Sequence, residues 1–307
     1  MPATLFSKKA ILLSSIISAI YLLLSALLVG YKQDQLVLVA LFLICYFASF
    51  ITRKFITGFA IFAVYWILFD YMKALPNFTF NNVSIAELYE FEKRWFGISV
   101  NGQVLIPNVY FAQFHYQWLD FLTGFFYLCW VPVPLAFAAY LFFQRRTYFL
   151  QFSLSFLLVN LIGFVIYYIY PAAPPWYVMQ NGFSFIEATK GSCAGLIRFD
   201  EIVGSPVFQS LYSKGSNVFA AMPSLHAAYP VIVLYYGIKC KMGWINSLLV
   251  VLVLGIWFSA IYNAHHYITD VLAGAICAAV SLLIFERFLL NNRLFNQFYQ
   301  KYYSLIK

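Results

Sequence analysis

The stretch YNAHHYITDVLAG, residues 262–274, lies between two long apolar runs and places two adjacent histidines and an aspartate at the mouth of what reads as a membrane-crossing helix. Ionisable groups at that depth are costly, so they mark a functional site by default. The chain on either side is too apolar for a soluble domain. Of its 307 residues, 63% are hydrophobic and 10% charged, against roughly 25% charged in ordinary globular proteins. The apolar runs are continuous rather than alternating. Backbone in lipid must satisfy its own hydrogen bonds, and continuous runs do so as helices rather than barrel strands.

Stretches near the ~20 apolar residues that span a bilayer fall at 10–31, 35–52, 56–74, 120–143, 147–170, 223–239, 244–262 and 266–289. They predict an all-α integral membrane protein of about eight transmembrane helices. Residues 1–74 form an N-terminal group of helices. Residues 75–119 form a loop, 120–290 a second group interrupted by the loop 171–222, and 291–307 a tail. Lys8 and Lys9 precede the first run as in a signal peptide. That run is too long for one and lacks a small-residue cleavage site, so it reads as an anchor. Within the first loop, IAELYEFEKRWFG (85–97) sets Leu88, Phe91, Trp95 and Phe96 near helical spacing among charges, the pattern of an amphipathic interfacial helix.

The net charge of +8 does not point to nucleic acid, because the basic residues sit in short clusters between apolar runs. They read as topology signals. With the N-terminus in the cytoplasm, the short inner loops carry Lys8, Lys9, Arg53, Lys54, Arg145, Arg146, Lys239 and Lys241. Of the 11 acidic residues only Glu286 falls on that side. Both termini are thus expected in the cytoplasm, and the two long loops on the outer face. The five cysteines are scattered, four in or beside apolar runs. They form neither a disulfide framework nor a metal-binding spacing, and no cofactor is expected.

On this topology AMPSLHAAYP (221–230) and YNAHHYITDVLAG open helices on the same outer face, so His226 can meet His266. His266 and Asp270 are four apart and share one helix face. A carboxylate beside one imidazole nitrogen fixes the tautomer and raises the basicity of the other, and such an imidazole is a competent nucleophile. Pro223 and Ser224 suit a helix start, where N–H groups and the macrodipole attract phosphate. His226 lies in that first turn, placed for general acid catalysis. A transporter with a His–Asp proton relay would spread charge along several spans, whereas here it gathers at one face.

PSLHAA and HHYITDVLAG resemble the second and third signatures of the type 2 phosphatidic acid phosphatase superfamily. That resemblance implies a six-helix core, a histidine nucleophile (His266), a supporting aspartate (Asp270) and a histidine acid (His226). The chain departs from the pattern in two places. The usual arginine of the third signature is replaced by Ala260, and the first signature, with its lysine and arginine, is absent. Where it would lie the chain reads YIYPAAPPWY, 168–177. These departures are similar to the branch containing fungal inositol phosphorylceramide synthase. The similarity implies phosphoinositol transfer from a phospholipid donor to a ceramide-type acceptor through a phosphohistidine. With water as acceptor, the same residues would make a lipid phosphate or pyrophosphate phosphatase. Phosphate still requires positive charge in the transition state, for which Lys190, Arg198, Lys214 and Arg94 are available. Trp176 is a candidate wall of the headgroup pocket, and Asn263 a candidate headgroup contact.

Overall fold

The computed structural model describes residues 4–187, 189–213, 215 and 217–307. Three helices come first: α1 (Lys8–Val29), α2 (Gln33–Ala48) and α3 (Phe50–Tyr71). The first loop folds into α4 (Ala86–Phe96), a hairpin of β1 (Ile98–Val100) and β2 (Gln103–Leu105), and α5 (Pro107–Gln113). There follow α6 (Gln117–Leu128), α7 (Pro132–Gln144) and α8 (Arg146–Ile169). The second loop holds α9 (Pro175–Asn181), α10 (Ile197–Val203) and α11 (Val207–Tyr212). The chain closes with α12 (Leu225–Lys239), α13 (Ile245–Tyr262), α14 (Ile268–Ile284) and α15 (Arg293–Ile306).

Among the described residues, five helical stretches are long and apolar enough to cross a membrane: Lys8–Val29, Phe50–Ala74, Arg146–Ile169, Ile245–Tyr262 and Ile268–Leu289. The pair α6–α7 makes a sixth, bent by 41°. Helices α2 and α12 have 16 and 15 residues and are shorter. Together these segments fall on the eight apolar runs of the sequence. The expected single crossing at 120–143 is broken because Pro132 and Pro134 have no N–H to return to the carbonyls one turn back. The hairpin departs from an all-helical expectation. Its two-residue turn is Asn101–Gly102, both at positive φ (49° and 80°), the backbone that an Asn-Gly hairpin turn requires.

The core lies among α3, α7, α8, α12 and α14, where Phe142, Phe149, Phe152, Ala228, Ile232 and Ala278 are buried. Polar ties fix the register within it. Tyr229 donates to Asn160 Oδ1 at 2.6 Å, and Ser155 Oγ meets Tyr236 OH at 2.9 Å. The outer surface is aliphatic and aromatic, with Leu23, Leu27, Val165 and Ile276 exposed, as a lipid-facing sleeve must be. The bundle has two unlike ends. At one, Arg146 donates to the Ile306 carbonyl at 2.8 Å and Lys239 pairs with Glu286. At the other, α4, α5 and the second loop surround the starts of α12 and α14.

Candidate active site

Two helix starts build the site. Ser224 caps α12 by accepting from the Ala227 N–H at 3.3 Å, which is why the chain turns helical directly after Pro223. The Ser224 N–H donates to the Asp270 carbonyl at 2.9 Å, stitching α12 to the first turn of α14. That approach requires Gly274. A Cβ there would lie 2.1 Å from the Ser224 carbonyl oxygen.

His226 and His266 meet at this seam, with Nδ1 of the first 3.0 Å from Nε2 of the second. The far nitrogen of His266, Nδ1, lies 3.5 Å from Asp270 Oδ2. His266 is 5% exposed and Asp270 fully buried. Asp270 Oδ2 also accepts the Tyr267 N–H at 2.9 Å, which holds the carboxylate against its own helix start. Burial pushes the His266 imidazole down to about 4, with the Ala221 backbone carbonyl acting in the opposite direction. Burial thus favours the neutral ring at ordinary pH. Trp130 meets the His226 ring edge to face, with 4.4 Å between centroids.

Two further residues, not expected from the sequence, hold the backbone around His266. Asn108, fully buried on α5, donates to the carbonyls of Ile261 (2.8 Å) and His266 (2.9 Å). Glu92, fully buried on α4, accepts from the N–H groups of Ile268 (2.7 Å) and Thr269 (3.2 Å) and from the Thr269 hydroxyl (2.6 Å). One signal was available for Glu92: α14 starts at Tyr267–Ile268 with no Ser, Thr, Asp or Asn in the capping position.

The expected phosphate-binding cations are placed differently. Arg198 Nε donates to buried Asp120 at 2.6 Å, and Asp120 also receives Tyr262 OH at 2.9 Å and contacts His115 Nδ1 at 3.0 Å. Arg198 is thus paired through Nε, while its Nη2 is buried without a hydrogen-bond partner among the described residues. Lys190 and Arg94 are exposed, and Lys214 lies outside the described residues. Trp176 is buried, and its backbone N–H donates to the Ala264 carbonyl at 3.1 Å, so it lies against the turn before His266. Asn263 is buried too. Its side chain donates to the Ser259 carbonyl at 3.0 Å, completing the end of α13. His265 points away from His266 and into the loop. It lies between the rings of Tyr127 and Tyr212, with Nε2 2.9 Å from the Cys193 carbonyl. No cluster of His, Cys, Asp and Glu fit to hold a metal occurs among the described residues.

A helical membrane bundle whose two histidines and aspartate converge at one end defines an integral membrane enzyme built for phosphoryl chemistry. The chain belongs to the PAP2 superfamily, whose family model matches residues 87–284. It is 47% identical to a phosphoinositol dihydroceramide synthase of Bacteroides thetaiotaomicron over 98% of this chain and 99% of that protein. It is 31% identical to an inositol phosphorylceramide synthase of Candida albicans, over 52% of this chain and 35% of the other. The catalytic subunit of the Saccharomyces cerevisiae inositol phosphorylceramide synthase is 32% identical over 42% and 31% of the two chains. No solved structure matches significantly.

Proposed function

We propose that this protein is a lipid phosphotransferase that moves phosphoinositol from phosphatidylinositol to a ceramide-type acceptor through a phosphohistidine. The observation that carries the reading is the contact of His226 with His266, backed by Asp270, in a chain similar along its whole length to a phosphoinositol dihydroceramide synthase. His266 Nε2 attacks phosphorus. His226 protonates the departing diacylglycerol oxygen, then takes the proton from the acceptor hydroxyl as that oxygen attacks the phosphohistidine. The second half-reaction mirrors the first, so one residue serves as acid and then base.

The phosphate belongs at the start of α12 rather than of α14. Both helix starts face the site and both attract anions. The start of α14 already holds two carboxylates, Glu92 and Asp270. At α12 the Ala227 N–H is taken by the Ser224 side chain and the Leu225 N–H lies against the Tyr167 hydroxyl, while no carboxylate side chain holds the first turn. Burial of His266 and Asp270 also favours transfer over hydrolysis, because a shielded phosphohistidine meets water rarely. The active site faces the outside of the membrane and both termini the cytoplasm, a reading supported by Arg146 and Lys239 at the opposite end.

The test incubates purified wild type and His266→Ala in detergent with phosphatidylinositol, with and without ceramide, and follows the lipids by mass spectrometry. Ceramide-dependent transfer that the variant lacks is the expected result. Release of inositol phosphate regardless of ceramide would replace transfer with hydrolysis.

A further inference from the structure

Glu92 is a buried carboxylate that the transfer chemistry does not use, on an amphipathic helix whose other face is exposed. On α4, Leu88 and Glu92 face inward, while Phe91 and Trp95 remain 47% and 67% exposed. Leu88 sits in a small core with Ile106, Ala172, Ala221 and Tyr267, which joins α4 to both catalytic stretches. Beside it Glu92 takes both N–H groups that open α14, together with the Thr269 hydroxyl. Asp270, the next residue, takes the preceding N–H, that of Tyr267. Three successive backbone donors, from Tyr267 to Thr269, are therefore held by two carboxylates, and His266 immediately precedes them. Burial pushes the Glu92 carboxyl up, its hydrogen bonds to Thr269 and Ile268 pull it back, and neighbouring Asp270 adds to the rise.

We propose that Glu92 is a positioning residue of the reaction: by anchoring Ile268 and Thr269 it sets the direction of His266 and Asp270, making the amphipathic helix α4 a working part of the active site. The inference rests on the transfer reading above. A shorter or neutral side chain at 92 frees the first turn of α14, and misplacement of a nucleophile by about 1 Å costs on the order of 100-fold in rate. Glutamine keeps an acceptor oxygen for part of the set. Alanine keeps none.

The experiment compares Glu92→Gln, Glu92→Ala and Thr269→Val with wild type, in detergent and in vesicles of phosphatidylinositol and ceramide. It records kcat, KM for each lipid and the unfolding temperature, and follows hydrogen exchange of the peptide spanning 262–275 by mass spectrometry. Expected for Glu92→Ala is faster exchange in that peptide and a kcat about 10- to 100-fold lower, with both KM values and the unfolding temperature little changed. Glu92→Gln should recover part of the kcat, and Thr269→Val should lose less than Glu92→Ala. Should Glu92→Ala fail to accumulate, the other two variants decide by the same readouts. Unchanged kcat and exchange, or a loss carried by KM or by unfolding, overturns the proposal. If wild type turns over neither lipid, the transfer reading falls, and the exchange rates alone decide whether Glu92 anchors the helix.

Discussion

Nδ1 of His226 lies 3.0 Å from Nε2 of His266, joining two helix starts that are 40 residues apart in the chain. Two neutral imidazoles share such a contact only when one nitrogen donates and the other accepts. His266 Nδ1 faces Asp270 Oδ2 at 3.5 Å without a hydrogen bond of its own, and a carboxylate on that side favours the tautomer with the proton on Nδ1. Its Nε2 then accepts, and His226 Nδ1 donates. The contact sets the lone pair proposed for attack beside the imidazole proposed as the acid, which must itself take up a proton and turn from His266 before it can serve a leaving group.

The division of labour predicts a leaving-group effect. His226→Ala should lose about 10²- to 10⁴-fold with phosphatidylinositol, the range that general acid catalysis supplies. An inositol phosphodiester with a nitrophenolate leaving group needs no proton in the first half-reaction, so the same variant should release a first equivalent of nitrophenolate at close to the wild-type rate, with the later acceptor step still slowed. His266→Ala should fail with both. Equal losses by His226→Ala on the two substrates would remove it from the acid role.

Asp270→Asn keeps the shape of the site but presents an amide in place of a carboxylate. Nε2 then takes the proton and loses its lone pair, as in a triad with its aspartate replaced, where the loss is about 10⁴-fold. The expected signature is a fall in kcat with KM for both lipids retained. If KM rises instead while kcat holds, Asp270 acts on binding and the orienting role fails.

Acidity should affect His266 late. Burial disfavours the charged form of His266 and pushes it down to about 4, so protonation should silence it only well below the usual histidine range. The acid limb of kcat/KM for the free enzyme is expected below pH 6.5, towards 4. Stability runs the same way. The unfolded chain binds that proton near pH 6.5 and the folded chain near 4. The neutral ring therefore costs nothing above 6.5, and folding stability falls as pH drops through the window between them. Profiles of rate and of unfolding temperature from pH 4 to 9 check both. An acid limb at or above 6.5 would assign the titration to another group.

How legible the site was follows from the range of each interaction. Ser224 with Ala227 is one helical turn apart, and His266 with Asp270 four residues apart, so spacing exposes both pairs; His266 nevertheless lies in the turn before α14 rather than on a shared helix face, because the extended Tyr267 starts that helix only at Ile268. The bundle was legible because lipid demands long apolar runs. Glu92 acts on Ile268 across 176 positions, Asn108 on His266 across 158, and Arg198 on Asp120 across 78. No local pattern encodes those pairings. Arg198 illustrates the consequence: its residue type suits a phosphate, and its pairing with buried Asp120 could not be read from spacing. The break at Pro132 was legible as a proline and not as an angle, because the bend depends on what α6 and α7 pack against.

The closest backbone approach in the site gives a further prediction. A Cβ at Gly274 would sit 2.1 Å from the Ser224 carbonyl oxygen, a backbone atom that cannot turn aside. A Cβ at Gly163 would sit 2.8 Å from a terminal methyl of Leu225, a side chain that can. Both are buried helical glycines in the same core, so the contrast isolates the effect of the neighbour. Gly274→Ala should push α14 from the start of α12, at a cost at or above the usual ~1–3 kcal/mol of overpacking. Because the Ser224 N–H bonds to the Asp270 carbonyl across that seam, activity should fall further than stability. Gly163→Ala should lose little of either. Thermal unfolding in detergent and transfer assays on the two variants check this, and comparable behaviour of the pair would mean that the seam at Ser224 does not control the geometry of the histidines.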